Sequence, residues 1–181
     1  MQALKRLFAP RMAVEAGRRL FAVVSAHARQ PALYLQGGVG DTPEGRFELY
    51  TLHTVLVLHR LKGQGPQAAE TAQALFDAFV KNLDLALREL GVGDLSVGKK
   101  MRKLGEAFYG RVKNYDEALA LLPDDAQLRA VIARTVLADR EGADPGPLSA
   151  YAQACAAALL AQPLAEVLEG RLAWPDYGDA R

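Results

Sequence analysis

The chain has 181 residues, of which 50% are hydrophobic and 24% are charged, and its formal net charge is +1 at pH 7. This length suits one domain that buries a sizeable core, and the composition is that of an ordinary globular protein. The near-neutral charge excludes a strong overall field for nucleic acid or anionic lipid, so any such attraction has to be local.

Cysteine content and hydropathy exclude two further classes of protein. Cys155 is the only cysteine, so no internal disulfide can form and a reducing compartment fits. The first ten residues carry cations without the apolar segment of a secretory signal. The longest apolar run, 49–61, contains His53, His59 and Arg60 and is too short for a membrane-spanning helix. We expect a soluble protein, or one held at most at a membrane surface.

The N-terminal region, residues 1–30, is predicted to be a basic amphipathic helix. Pro10 interrupts its apolar pattern, which predicts a frayed start and a helix from about 11 to 28. Its exposed side carries the cations Lys5, Arg6, Arg11, Arg18 and Arg19. This side is either a solvated helix face or a surface for anionic lipid head groups or ribosomal RNA. Residues 31–41 contain three glycines and are predicted to be a loop.

A second helix is predicted from Asp41 to about Lys62. Asp41 is a suitable capping residue, Pro43 suits the first turn, and Glu44 completes the start signal. From about 46 to 61 the helix is apolar on nearly every side, so it should be the central, most buried element. His53 and His59 are not at metal-ligand spacing, and we expect no carboxylate or cysteine to pair with them. His53 is therefore interpreted as a hydrogen-bonded core histidine.

A long helical hairpin is predicted over about 66–121. Its first helix, to about Leu90, carries an apolar stripe that includes Phe76 and Phe79, for which core packing is the default and an exposed aromatic groove the alternative. Gly91 suits the position that ends this helix, and Asp94 is the predicted N-cap of the next. The second helix places an apolar face opposite a polar face, and its start packs four cations into five positions: Lys99, Lys100, Arg102 and Lys103.

The C-terminal part, residues 123–181, is predicted to form shorter helices that pack on the same domain. They cover about 123–139, 148–161 and 163–170, with a linker at 141–147 and a tail that Trp174 pins to the body. Together with a core region at 31–122, these elements predict an all-α, single-domain bundle of about six or seven helices.

The sequence offers no set of residues for catalysis. Residues 93–100 approach the phosphate-binding pattern G-x-x-x-x-G-K-[ST], but Lys100 replaces the required hydroxyl and no strand precedes the segment. Cys155 lies among alanines on an apolar face, which favours an inert thiol with a normal or raised pKa. No combination of nucleophile, base and orienting group can be assembled, so we expect neither an enzyme, nor a cofactor, nor a metal site.

Several runs nevertheless resemble a known family. These are the start signal 41–48 with Leu52-His53 after it, the turn and basic cluster 87–99, and the run 107–111, Ala-Phe-Tyr-Gly-Arg. In this order they resemble the ubiquinol–cytochrome c chaperone family, assembly factors for cytochrome b of respiratory complex III. The resemblance covers nearly half the chain. Mitochondrial members carry a long N-terminal extension that this sequence does not show, which favours a bacterial-type member.

The resemblance implies an all-helical, non-enzymatic chaperone that binds newly synthesised cytochrome b at the inner membrane. In a bacterium it implies a location in the cytoplasm, either free or peripheral on the cytoplasmic face of the inner membrane. In a eukaryote it implies the mitochondrial inner membrane and matrix. Possible further partners are the ribosome, an anionic membrane surface and a small partner protein, whereas DNA is not expected.

A chaperone of this kind needs an apolar groove for its client and a cationic rim. The candidates for contact with the client or partner are Phe76, Phe79, Phe108, Tyr109 and Arg111, and Tyr109 could be exposed while Phe108 is core. The candidates that face membrane or RNA are Lys99, Lys100, Arg102 and Lys103, which could equally be a solvated face. The alternative function is an RNA- or ribosome-binding module that uses the basic helix 99–113.

Overall fold

The architecture is all-α. The computed structural model describes the backbone of residues 2–178 and the side chains of residues 12–178, and this part of the chain holds eight helices and no strand. The helices are α1 (Gln2–Ala28), α2 (Pro31–Leu35), α3 (Pro43–Leu61), α4 (Pro66–Glu89), α5 (Asp94–Ala120), α6 (Ala126–Arg134), α7 (Gly146–Ala161) and α8 (Leu164–Leu168). The predicted all-α bundle is confirmed.

Helix α3 is the centre of the bundle, as the sequence predicted. Every residue from Phe47 to Val57 is buried, and α1, α4, α5 and α7 all pack on this helix. The Thr42 side chain caps it by accepting a hydrogen bond of 3.1 Å from the Gly45 backbone N–H. Although α3 is strongly apolar, no helix among the described residues is long and apolar enough to cross a bilayer.

The predicted hairpin is formed by α4 and α5. Gly91 adopts a φ of 78° in the turn between them, a left-handed conformation that glycine takes without the steric cost of a side chain. Near the core the hairpin buries Leu75 and Phe79 of α4, and Phe108 and Tyr115 of α5. Towards the turn the side chains other than Val97 are half-buried or exposed, so this end extends beyond the body of the bundle.

Helix α1 lies along α4 at a distance that a small residue permits. A Cβ atom added at Gly17 would lie 2.6 Å from backbone and side-chain atoms of Ala74. Glycine at this position therefore allows the two helices to approach closely, and α1 covers one side of the hairpin.

The C-terminal helices close the other side of the core. Tyr115 of α5 forms a hydrogen bond of 3.0 Å with Thr135, just after α6. Arg60 of α3 donates to the backbone carbonyls of Leu159 and Gln162. Trp174 lies edge-on to the buried His53 ring at a centroid distance of 5.5 Å, so this tryptophan does fix the tail, as predicted.

Most errors of the sequence prediction concern the residues at which helices begin and end. Helix α1 begins at Gln2, and not near residue 11, because a proline removes one helix donor without always ending the helix. The predicted loop at 31–41 contains the short helix α2, which starts at Pro31. Helix α6 ends at Arg134, well before the predicted 139. The predicted roles of Lys5, Arg6 and Arg11 concern side chains outside the described residues.

Two predicted helix caps were wrong by one position. Thr42 caps α3 in place of Asp41, whose carboxylate instead accepts a hydrogen bond of 2.7 Å from Arg46. Gly93 occupies the N-cap of α5, and Asp94 lies in the first turn, where it binds Arg88 at 2.5 Å. In both cases an arginine competes with the helix N-terminus for the carboxylate, and a local pattern cannot reveal that competition.

Candidate functional site

A row of aromatic rings runs from the core to the surface between α3, α4 and α5. The ring centroids are 6.3 Å apart for Phe47–Phe79, 4.7 Å for Phe79–Phe108, 5.3 Å for Phe108–Phe76 and 5.7 Å for Phe76–Tyr109. Phe79 and Phe108 are buried, Phe76 is half-buried, and Tyr109 is 63% exposed. The prediction that Phe108 is core and Tyr109 exposed is confirmed.

The geometry separates these aromatic candidates into two kinds. Tyr109, with the half-buried Phe76 behind it, forms an accessible aromatic surface. Phe79 and Phe108 support that surface from within the core and have no free face. The predicted contact with a client stays a prediction for all four residues, and direct contact is open to Phe76 and Tyr109 alone among them.

Arg111 is engaged within the chain. Its guanidinium donates to Glu48 of α3 through Nη2 at 2.8 Å and through Nε at 3.1 Å. The Arg111 and Glu48 side chains are only 27% and 10% exposed. The hydrogen bond to Glu48 raises the pKa of Arg111, although partial burial opposes this change. Any contact between Arg111 and a client would have to compete with this ion pair, which sequence reasoning missed because 63 positions separate its partners.

The four basic candidates lie together near the turn of the hairpin. Lys99, Lys100, Arg102 and Lys103 are all exposed, and none forms an ion pair or hydrogen bond with another residue that the structure describes. The cluster is therefore free to attract an anionic partner. Contact with membrane or RNA remains a prediction for these four residues.

An apolar groove opens at the other end of the hairpin, where α3, α4 and α5 meet. It has a volume of about 690 Å³. Its walls are mainly aliphatic: Val55, Leu58, Leu61, Pro66, Ala69, Ala72 and Val112. Along α5, Val112 is about 20 Å from Lys99 at the helix rise of 1.5 Å per residue. The groove and the basic cluster are therefore separate surfaces, and the groove was not predicted because three distant segments build it.

A small charged group lies at the rim of this groove. Asp116 accepts a hydrogen bond of 2.6 Å from His59 Nδ1 and another from Lys62 Nζ. Burial acts to raise the pKa of Asp116, but the bonds from Lys62 and His59 outweigh burial and lower it. The expectation that no carboxylate pairs with His59 was wrong, because Asp116 is 57 positions further along the chain.

The buried polar residues of the core form a structural cluster. His53 Nδ1 lies 2.8 Å from the Leu49 carbonyl, which only accepts, so Nδ1 carries the proton and Nε2 accepts from the Tyr151 hydroxyl at 2.8 Å. Burial lowers the pKa of His53 to about 4 and raises that of Cys155 to about 12. His53 is thus the hydrogen-bonded core residue that was predicted, and the Cys155 thiol stays protonated at neutral pH.

The described residues offer several accessible surfaces on which a partner could bind. They contain no cluster of three or more His, Cys, Asp or Glu side chains that could hold a metal ion. The exposed Tyr109 and the basic cluster lie on the hairpin, and the groove lies between the hairpin and α3. This combination is typical of a helical protein that acts by binding another macromolecule.

Comparison with known proteins identifies the class. The family described as "Ubiquinol-cytochrome C chaperone" matches residues 35–174, and the chain belongs to this family. The chain is also similar to a solved structure, the crystal structure of the Cbp3 homolog from Brucella abortus. The two chains are 36% identical, the match covers 97% of this chain and 98% of the other, and the TM-score is 0.84. A search of curated proteins finds no match. The predicted family membership is confirmed.

Proposed function

We propose that this chaperone binds newly synthesised cytochrome b and promotes assembly of the ubiquinol–cytochrome c reductase, without catalysing a reaction. Family membership supports a role in assembly of that complex. The observation that carries the proposal is the open apolar groove at the base of the hairpin. A membrane protein that has not yet inserted or folded exposes apolar segments, and a chaperone for it needs an accessible apolar surface of this kind.

The groove suits an apolar helix better than a small polar ligand. Its aliphatic walls come from three helices, an arrangement that accepts side chains spaced along one face of a fourth helix. Asp116, Lys62 and His59 form a polar rim on which the client backbone or a flanking polar residue can be oriented. The exposed Tyr109 offers a further aromatic contact on the same hairpin.

We place this activity in the cytoplasm, at the cytoplasmic face of the inner membrane, because the proposed client is a membrane protein. The ribosome and a small partner protein are further proposed partners. Either of them would bring the chaperone to cytochrome b during or soon after its synthesis.

A substitution that fills the groove tests the proposal. Ala69 lines the groove and is exposed, so Ala69→Trp should occupy the groove without disturbing the core. The matched control is Ala157→Trp on the exposed side of α7. Each variant is expressed from a plasmid in a strain that lacks the chromosomal gene. We expect Ala69→Trp to lower the level of mature cytochrome b in these cells. The amount of cytochrome b that co-purifies with the chaperone should also fall, at least about tenfold. Normal cytochrome b with Ala69→Trp, or in a deletion strain, would reject the proposal.

A second candidate function is RNA or ribosome binding by the basic helix 99–113. The four exposed cations without partners favour it. It predicts RNA affinity that falls steeply with salt and falls again when Lys99, Lys100 and Lys103 are changed to alanine. Absent or salt-independent RNA binding would argue against this function.

A further inference from the structure

The turn of the hairpin presents apolar side chains that the fold does not cover. We call residues 85–103 the hairpin tip. Leu90, the last residue before the glycine turn, is 63% exposed, and Leu95, in the first turn of α5, is fully exposed. Leu85 is also exposed on the adjoining face of α4. The apolar stripe that packs the hairpin together is formed by other residues, such as Val97 and Leu104. The exposed leucines are therefore not needed to join the two helices.

The charge around these leucines is positive. Arg88 donates to Asp94 and to Asp84, which lies just before the tip, so its single positive charge offsets one of these two carboxylates. Residues 85–103 hold two acids, Glu89 and Asp94, and five cations, so the formal net charge of the tip is +3. The cations are Arg88, Lys99, Lys100, Arg102 and Lys103. A positive surface that surrounds exposed leucines is complementary to an anionic surface with an apolar layer beneath it.

The spacing along α5 matches the layers of a bilayer. Lys99 and Lys103 lie about 6 and 12 Å from Leu95 at the helix rise of 1.5 Å per residue. The head-group layer of a bilayer is roughly 5–8 Å thick on each side of the hydrocarbon. When the leucines reach the boundary of the acyl chains, Lys99 lies at the level of the lipid phosphates. Lys103 reaches the same level because its long side chain extends towards the N-terminal end of the helix.

We propose that the hairpin tip docks the chaperone on an anionic membrane surface, with Leu90 and Leu95 inserted at the acyl boundary and the four cations bound to lipid phosphates. The leucines favour lipid over RNA, because backbone phosphates of RNA are bound by cations and give an inserted leucine no apolar layer. This inference rests on the proposed function and adds to it the part of the chaperone that contacts the membrane. Because the experiment contains no cytochrome b, lipid docking and client binding can fail separately.

Sedimentation of the purified full chain with vesicles tests the proposal. We expect binding to vesicles of phosphatidylcholine with 30–40% phosphatidylglycerol (roughly the range of anionic membranes) and little binding to pure phosphatidylcholine. Leu90→Ser combined with Leu95→Ser should lower the affinity for anionic vesicles at least about tenfold. The control changes two exposed leucines elsewhere, Leu35→Ser with Leu160→Ser, and should bind like the wild type. Changing Lys99, Lys100 and Lys103 to glutamine should lower affinity about 100-fold, at about fivefold per cation.

A fluorescent reporter locates the contact independently. Leu95→Trp should show a blue shift on anionic vesicles and quenching by brominated lipid, whereas Leu35→Trp should show neither. The proposal is overturned if the leucine pair can be changed without loss of vesicle binding. It is equally overturned if the wild type binds RNA through the lysines and does not bind anionic vesicles.

Discussion

At the scale of single residues, the buried His53 should make folding stability depend on pH. Its pKa is near 6.5 in an unfolded chain and is lowered to about 4 in the fold by burial. Between these values the unfolded chain binds more protons, so stability falls as pH falls from about 6.5 to 4. The total loss from this residue is about 3 kcal/mol at about 1.4 kcal/mol per pH unit.

Urea unfolding at a series of pH values measures this loss. His53→Gln keeps a polar side chain at the position but removes the titrating proton. The variant should be less stable at pH 7, because its contacts with Leu49 and Tyr151 are disturbed, but its stability should depend less steeply on pH between 6.5 and 4. An unchanged slope in the variant would mean that other groups, such as the partly buried His27, carry the pH dependence.

The Glu48–Arg111 pair is a second residue-scale feature with a measurable consequence. Arg111→Ala would leave a nearly buried carboxylate without its partner, so we expect a loss of about 2–3 kcal/mol in the free energy of unfolding. The matched control is Arg19→Ala, which removes the exposed pair with Glu15 and should cost less than about 0.5 kcal/mol. Similar losses in the two variants, measured by chemical denaturation, would contradict the structural role of Arg111.

At the scale of elements, α5 contains glycines that its own fold does not require. A Cβ atom added at Gly98 or Gly105 would meet no atom within 4 Å, and both glycines have ordinary helical backbone. Gly98→Ala and Gly105→Ala should therefore each stabilise the protein by about 0.5–1 kcal/mol, because alanine favours the helix. Gly17→Ala should destabilise it, because its Cβ would collide with Ala74 on α4.

Thermal unfolding followed by circular dichroism distinguishes the two kinds of glycine. The three variants add the same methyl group, so only the surroundings of each glycine differ. We expect the melting temperature to fall for the variant in α1 and to rise for the two variants in α5. A loss of stability in Gly98→Ala or Gly105→Ala would show that the outer face of α5 is covered by something other than solvent, such as a second copy of the chain.

Hydrophobic periodicity succeeded for helices whose apolar pattern continues along their whole length. Helix α3 is apolar on nearly all sides and α4 and α5 each carry one clear stripe, so hydrophobic spacing alone located these three helices within a few residues. It failed where a single local signal had to decide a boundary. Pro10 and Pro31 show this failure, because proline is compatible with both the interruption and the beginning of a helix.

At the scale of the whole molecule, the sequence revealed the residues of the candidate surfaces better than their arrangement. Lys99 to Lys103 were found because they are consecutive on one helix. The groove and its rim were missed because His59 and Asp116 lie on different helices, and no local pattern connects them. The same reason explains why Arg111 was assigned to the surface although Glu48 engages it. Family resemblance suggested a function, and the packed fold added the groove in which we propose that the client binds.

The two proposed surfaces lie at opposite ends of one hairpin, which makes their functions separable. Val112 in the groove and Leu95 at the tip are about 25 Å apart along α5 at 1.5 Å per residue. Ala69→Trp should therefore leave the chaperone in the membrane fraction of cells while it abolishes recovery of cytochrome b. The Leu90→Ser and Leu95→Ser pair should instead release the chaperone into the soluble fraction and preserve its affinity for an apolar client peptide. Loss of both properties in either variant would show that client and membrane share one continuous surface. The hairpin would then act as a single binding face, and not as an arm that separates the groove from the lipid.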